Sequence, residues 1–148
     1  MILNSIYAFI ATLTFGILFN IRGKKLFFAS LCGGLSWFVY LLSFSLNNSN
    51  ALSLFLASLA ASFFSEVLAR IMKTPVTTFV ICAIIPLVPG GGMYYTMLAS
   101  IRGNINTSLS TGLETITNAG AIAVGIVLVS STSKFITLLR SNKKPSRK

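Results

Sequence analysis

The segment Ile84-Ile85-Pro86-Leu87-Val88-Pro89-Gly90-Gly91-Gly92-Met93-Tyr94-Tyr95 lies inside an apolar run from Thr74 to about Ile101. In a helix begun at Thr74, Pro86 falls about 18 Å along the axis at 1.5 Å per residue, near the middle of a ~30 Å hydrocarbon core. Pro86 offers no N–H to the carbonyl of Cys82, and Pro89 offers none to that of Ile85. Three glycines then lift the steric limits on the backbone. The helix is expected to stop before Pro86 and restart near Gly91. The restarted end would present N–H groups at Gly91, Gly92 and Met93 with a partial positive charge, which suits a carboxylate. Carbonyls between Cys82 and Ile85 would suit an ammonium group or a cation. Secondary transporters hold solutes at mid-membrane on such discontinuous helices. The competing reading is a packing kink, since Pro and Gly are frequent in membrane helices. On the first reading Pro86, Pro89, Gly90, Gly91, Gly92, Met93 and Tyr94 form the solute site.

Composition supports the membrane setting. The 148 residues are 54% hydrophobic and 9% charged, with a mean hydropathy of +0.83. Soluble domains carry about 25% charged residues, so this chain has too little polar surface to cover itself in water. Its net charge of +10 would by itself raise nucleic acid as a partner; the apolar excess argues against it. Four further runs are long enough to span: about Ile2 to Ile21, Leu26 to Leu46, Ala51 to Ala69 and Ser110 to Ser131. Length and the need to satisfy backbone groups inside lipid make all five helical. The expected fold is all-α, a polytopic membrane protein with about five transmembrane helices, the fourth discontinuous. Residues 1–133 form the transmembrane domain, and 134–148 a basic cytoplasmic tail, disordered and facing anionic lipid. Eleven of the twelve cations fall on one side of this arrangement and only Arg102 on the other. The positive-inside rule then puts the N-terminus outside and the C-terminus in the cytoplasm.

There is no His or Asp, and the only carboxylates are Glu66 and Glu114. Zinc and phosphotransfer chemistry need clusters of such groups, so neither an enzyme nor a cofactor or metal is expected. Thr111, Glu114, Asn118, Ala121 and Gly125 recur at spacings of three and four, one face of the last helix. Ionisable residues at such depth are functional candidates, and Glu114 could exchange a coupling proton. It could equally sit near the headgroups, paired with Arg102. Glu66 precedes Arg70 by four residues and can pair with it along the helix. Ser58, Ser62 and Glu66 also form a polar line that keeps a pathway role open. Ala57, Ala61, Ser65 and Ala69 mark a small-residue face for close helix contact.

Several segments together resemble a known family: Phe15-Gly16-Ile17-Leu18-Phe19-Asn20 before a basic turn, Gly33-Gly34-Leu35-Ser36-Trp37, and Ser65-Glu66-Val67-Leu68-Ala69-Arg70 followed by Thr74-Pro75. Pro86-Leu87-Val88-Pro89-Gly90 with Tyr94, the most specific piece, and Ala121-Ile122-Ala123-Val124-Gly125 complete the pattern. Over nearly its whole length the chain resembles the small subunit of the bacterial threonine/serine exporters, the part corresponding to the C-terminal half of the single-chain forms. The resemblance implies export of threonine, serine or a dicarboxylate such as succinate across the bacterial plasma membrane. It also implies a larger membrane subunit as partner; the odd number of spans likewise points to a second chain or a homo-oligomer. The alternative is a scaffold subunit with no solute site, whose glycines only let helices cross.

Overall fold

The computed structural model describes residues 1–142, apart from the side chains at 137, 138 and 140–142. It is helical: α1 Ile2–Leu18, α2 Lys24–Asn47, α3 Asn50–Ile71, α4 Val76–Ile84, a 3₁₀ turn Ile85–Leu87, α5 Gly90–Ile101 and α6 Ile105–Asn142. Three helices are long and apolar enough to cross a membrane, and the α4–α5 pair qualifies as one span with a 52° bend. With the 17-residue apolar α1, the five expected crossings are all present as elements. A bend of 52° leaves both arms of the pair advancing in the same sense. The two arms of about 18 Å, one tilted by that angle, together cover roughly 29 Å, close to the ~30 Å of a hydrocarbon core.

Left-handed residues end the helices. Asn20, Asn48, Lys73 and Gly103 all have positive φ. After α1, Asn20 N–H donates to the carbonyl of Ile17 and Ile21 N–H to that of Gly16, the paired bonds of a Schellman cap. Gly103 and Asn104 make the same pair at the end of α5, to Ser100 and Ala99. No such stop occurs in the last helix. Between Ile105 and Asn142 there is no proline, so α6 runs past Ser131 and through Lys134. The tail expected from 134 is therefore helical as far as 142, and its residues 143–148 lie outside the described residues.

Consecutive helices α1, α2 and α3 pack side by side; α4 lies against α2 and α3, α5 against α6, and α6 along α3. The core is built of small residues. Phe79 and Leu87 are the largest fully buried side chains, followed by Thr12, Cys32, Cys82 and serines. Lipid provides no hydrophobic drive between helices, so close van der Waals approach holds them. Ala57, Ala61, Ser65 and Ala69, the expected contact face, are all buried. Gly33 and Gly125 show how tight the approach is. Their missing β-carbons would meet Thr12 of α1 and Ser58 of α3. Buried hydroxyls mostly bond to their own helix, as Thr12 to Ala8 (2.8 Å), Ser30 to Leu26 (2.9 Å) and Ser53 to Ser49 (2.7 Å). Ser62 and Ser65 of α3 and Thr74 are exceptions, their buried hydroxyls having no partner among the described residues.

Candidate functional site

The helix break expected from Pro86 to Gly92 is present, and its hydrogen bonds can be followed group by group. On the α4 side, Ser36 Oγ of α2 donates to the carbonyl of Ala83 at 2.8 Å, and the same hydroxyl lies 2.8 Å from the carbonyl of Gly33. Val88 N–H reaches the carbonyl of Ile85 at 3.4 Å. Carbonyls expected to be open to a cation are thus partly claimed. On the α5 side, Pro89 has φ −77° and ψ 55°, and Gly90 N–H donates to Val88 at 2.7 Å, an inverse γ-turn. Met93 N–H donates to the carbonyl of Pro89 at 3.2 Å. Met93 therefore does not offer a free amide. The helix restarts one residue earlier than expected, at Gly90, and the hydrogen-bond ladder closes onto Met93. With no side-chain cap on α5, the amides of Gly91 and Gly92 are the ones its ladder leaves without an acceptor.

The three glycines differ in kind. A β-carbon on Gly92 would run into the side chain of Thr115 on α6, whereas one on Gly90 or Gly91 would meet nothing within 4 Å. Gly92 is explained by helix packing; no contact among the described residues explains Gly90 and Gly91. Antiparallel pairing of α5 with α6 places the remaining groups. Gly92 faces Thr115, Thr96 faces Gly112, and Ser100 Oγ lies 2.6 Å from Ser108 Oγ. The same register sets Asn118 level with Pro89 and Gly90. Asn118 is 8% exposed, and its side chain has no hydrogen bond to another described residue. Met93, Tyr94 and Tyr95 are exposed on the outer face of α5.

The α5–α6 register sets Asn118 beside the break and Glu114, next to Thr115, near the level of Tyr94. Glu114 is exposed and accepts a hydrogen bond from Asn50 Nδ2 at 3.4 Å, while Tyr40 donates to Asn50 Oδ1 at 2.8 Å. The partner of Glu114 is thus Asn50 at the start of α3, and not Arg102. Thr111, one turn before it, is half-buried, and its carbonyl accepts from Thr115. Glu66 lies at the opposite end of α3. Its Oε2 accepts from Ser133 Oγ of α6 at 2.6 Å and stands 3.6 Å from Arg70 Nη2, which donates to Ser133 Oγ at 2.7 Å. The expected Glu66–Arg70 pairing is present, with a serine from α6 between them.

Ser36, Thr115 and Ser133 are contributors the residue pattern did not single out as sites. Ser36 sits inside the Gly33–Trp37 motif, and a hydroxyl amid such an apolar run was the available signal. Replacing Ser36 by alanine is expected to leave the Ala83 carbonyl buried and unpaired, at a cost of about 1–2 kcal/mol. Denaturant titration of the purified chain checks this; an unchanged midpoint would show that the bond is dispensable.

A family model described as Threonine/Serine exporter, ThrE matches residues 4–132. No curated protein matches the chain, and no solved structure does. That match reaches into every helix of the bundle, the break included, and agrees with the multi-pass apolar architecture: the chain belongs to the threonine/serine exporter (ThrE) family of membrane transporters.

Proposed function

We propose that this chain is the small subunit of a secondary exporter that carries threonine and serine out of the bacterial cell across the plasma membrane. The positive-inside rule puts the end bearing Arg22, Lys24, Lys25, Arg70, Lys73 and Lys134 in the cytoplasm, and the N-terminus outside. The observation that carries the reading is the pair of unclaimed amides at Gly91 and Gly92, with Asn118 level with the adjacent Pro89 and Gly90. A half-helix N-terminus of this kind suits the solute carboxylate, and the Asn118 amide can hydrogen-bond the rest of the head group.

The site is half-built within one chain. Gly90 and Gly91 are exposed and, among the described residues, α5 packs chiefly on α6; we assign the facing wall to a second chain. A larger membrane subunit of the same exporter, or a second copy, supplies it. Glu66, 15% exposed at its side chain, takes the pathway role, while Glu114 ties α6 to the α2–α3 turn. Succinate is the alternative solute. In cells deleted for this chain and its partner, threonine and serine are expected to accumulate severalfold above wild type. Re-expression of both chains should restore the level. Unchanged threonine and serine with accumulated succinate would replace this reading by dicarboxylate export, and no accumulation of any of the three would favour the scaffold.

A further inference from the structure

The break has a second effect, at the basic end of the bundle. Because α5 carries the packing onto α6 and α4 packs onto α2 and α3, α4 and α6 diverge below the break. Between them lies a cleft of about 780 Å³. Glu66 and Arg70 of α3 form its floor, Thr77 stands on the α4 wall, and Ser130 and Lys134 on the α6 wall. Thr74 also lines it, and its Oγ1 is buried with no hydrogen-bond partner. Such atoms are rare and call for an explanation.

We infer that this cleft is a loading site for a zwitterionic hydroxy amino acid, distinct from the amides at the break. The charges have the required arrangement. Glu66 and Arg70 approach to 3.6 Å, longer than a charge-assisted hydrogen bond of about 2.7–2.9 Å. Their mutual hold is through Ser133 Oγ, and Arg70 is half-exposed. A guanidinium has five N–H donors, so Arg70 keeps donors for an incoming carboxylate while Glu66 receives the ammonium. An α-amino acid carries these two charges on one carbon and spans the pair. Hydroxyls of Thr77 and Ser130 provide partners for the solute's own hydroxyl. A dicarboxylate would bring its second charge against Glu66, in a low-dielectric setting where like charges repel strongly.

The cleft is separate from the break. Leu87 and Ile122, with Leu54 and Ala57, form a buried apolar cluster onto which Ile84 and Ile126 pack. It lies between the cleft, whose upper lining is Val80 and Ile126, and the amides at Gly91 and Gly92. The inference rests on the export reading above, and a zwitterionic lipid headgroup shares the same chemistry.

Thr77→Cys, introduced into the complete exporter, puts a thiol on the cleft wall, while the native Cys32 and Cys82 are buried. In inside-out vesicles of phosphatidylglycerol and cardiolipin, which hold no zwitterionic headgroup, saturating L-threonine is expected to slow its modification by an impermeant thiol reagent roughly tenfold. Succinate should give no protection. Both Glu66→Gln, which keeps a hydrogen bond to Ser133, and Ser130→Leu, which fills the cleft, should abolish the effect. Gly91→Leu should keep it even where export is lost, separating this site from the break. Four results would overturn the inference: no protection by threonine, equal protection by succinate, loss of protection in Gly91→Leu, or slow labelling without threonine once phosphatidylethanolamine is included. The last would assign the cleft to a lipid headgroup.

Discussion

Gly91→Leu is expected to lower threonine efflux by roughly two orders of magnitude while the chain stays in the membrane at its normal level. The argument starts from free space. A β-carbon at Gly91 meets nothing within 4 Å, so a side chain can leave the backbone there without displacing a neighbour at its root. Its φ lies outside the positive region reserved for glycine, so the backbone accepts a side chain without strain. What leucine does is place four carbons over the amides that the α5 ladder leaves open. Each hydrogen bond from such an amide to a carboxylate is worth about 1.5–3 kcal/mol, and losing two is at least roughly a hundredfold in affinity. Gly92→Leu is the contrasting variant. Its side chain collides with Thr115, so its membrane level should fall together with efflux. Radiolabelled efflux from loaded cells, with membrane levels measured in parallel, separates the two. Wild-type efflux in Gly91→Leu would remove the solute from the break, and loss of the exporter complex in that variant would make Gly91 a subunit contact.

Much of this was legible in the sequence, because proline and glycine act through the backbone alone. Two missing N–H groups and an unrestricted glycine run located the break to within one residue of its restart. Hydrogen bonds that come from another helix were not legible. Ser36 reaches Ala83 across 47 positions and Glu66 reaches Ser133 across 67, and no local pattern announces either. The same holds for Glu114. A three–four spacing put Asn118 and Gly125 on a face turned to protein, where both are buried, but it could not say that Glu114 is exposed and held by Asn50 of α3. The end of α6 was misplaced for a different reason. A shift from apolar to basic composition marks the end of a membrane span, yet it does not break a helix, and nothing from Ser131 to Asn142 does. The amide of Met93 was counted as free because the restart was set at Gly91. Starting α5 at Gly90 turns that amide into the first closed bond of the new helix.

The second large effect concerns the seam that holds the two arms of the broken span in one body. Helix α4 belongs with α2 and α3, α5 belongs with α6, and it is the packing of α6 along α3 that joins them. At the centre of that seam a β-carbon on Gly125 would meet the Ser58 hydroxyl and stand 3.1 Å from the carbonyl of Phe55. The Ser58 hydroxyl already donates to that carbonyl at 2.8 Å, so neither group can step aside without losing a bond. Gly125→Leu is therefore expected to destabilise the chain by about 3 kcal/mol or more, at the upper end of the cost of overpacking, and to lower its membrane level severalfold. Gly120, on the same helix, has nothing within 4 Å of its β-carbon position. Gly120→Leu should change the stability of the isolated chain by less than about 0.5 kcal/mol. Denaturant titration of both variants in one detergent makes the comparison. If Gly125→Leu unfolds at the wild-type midpoint, α6 does not rest on α3 at this point, and the cleft beneath the break loses the wall that defines it.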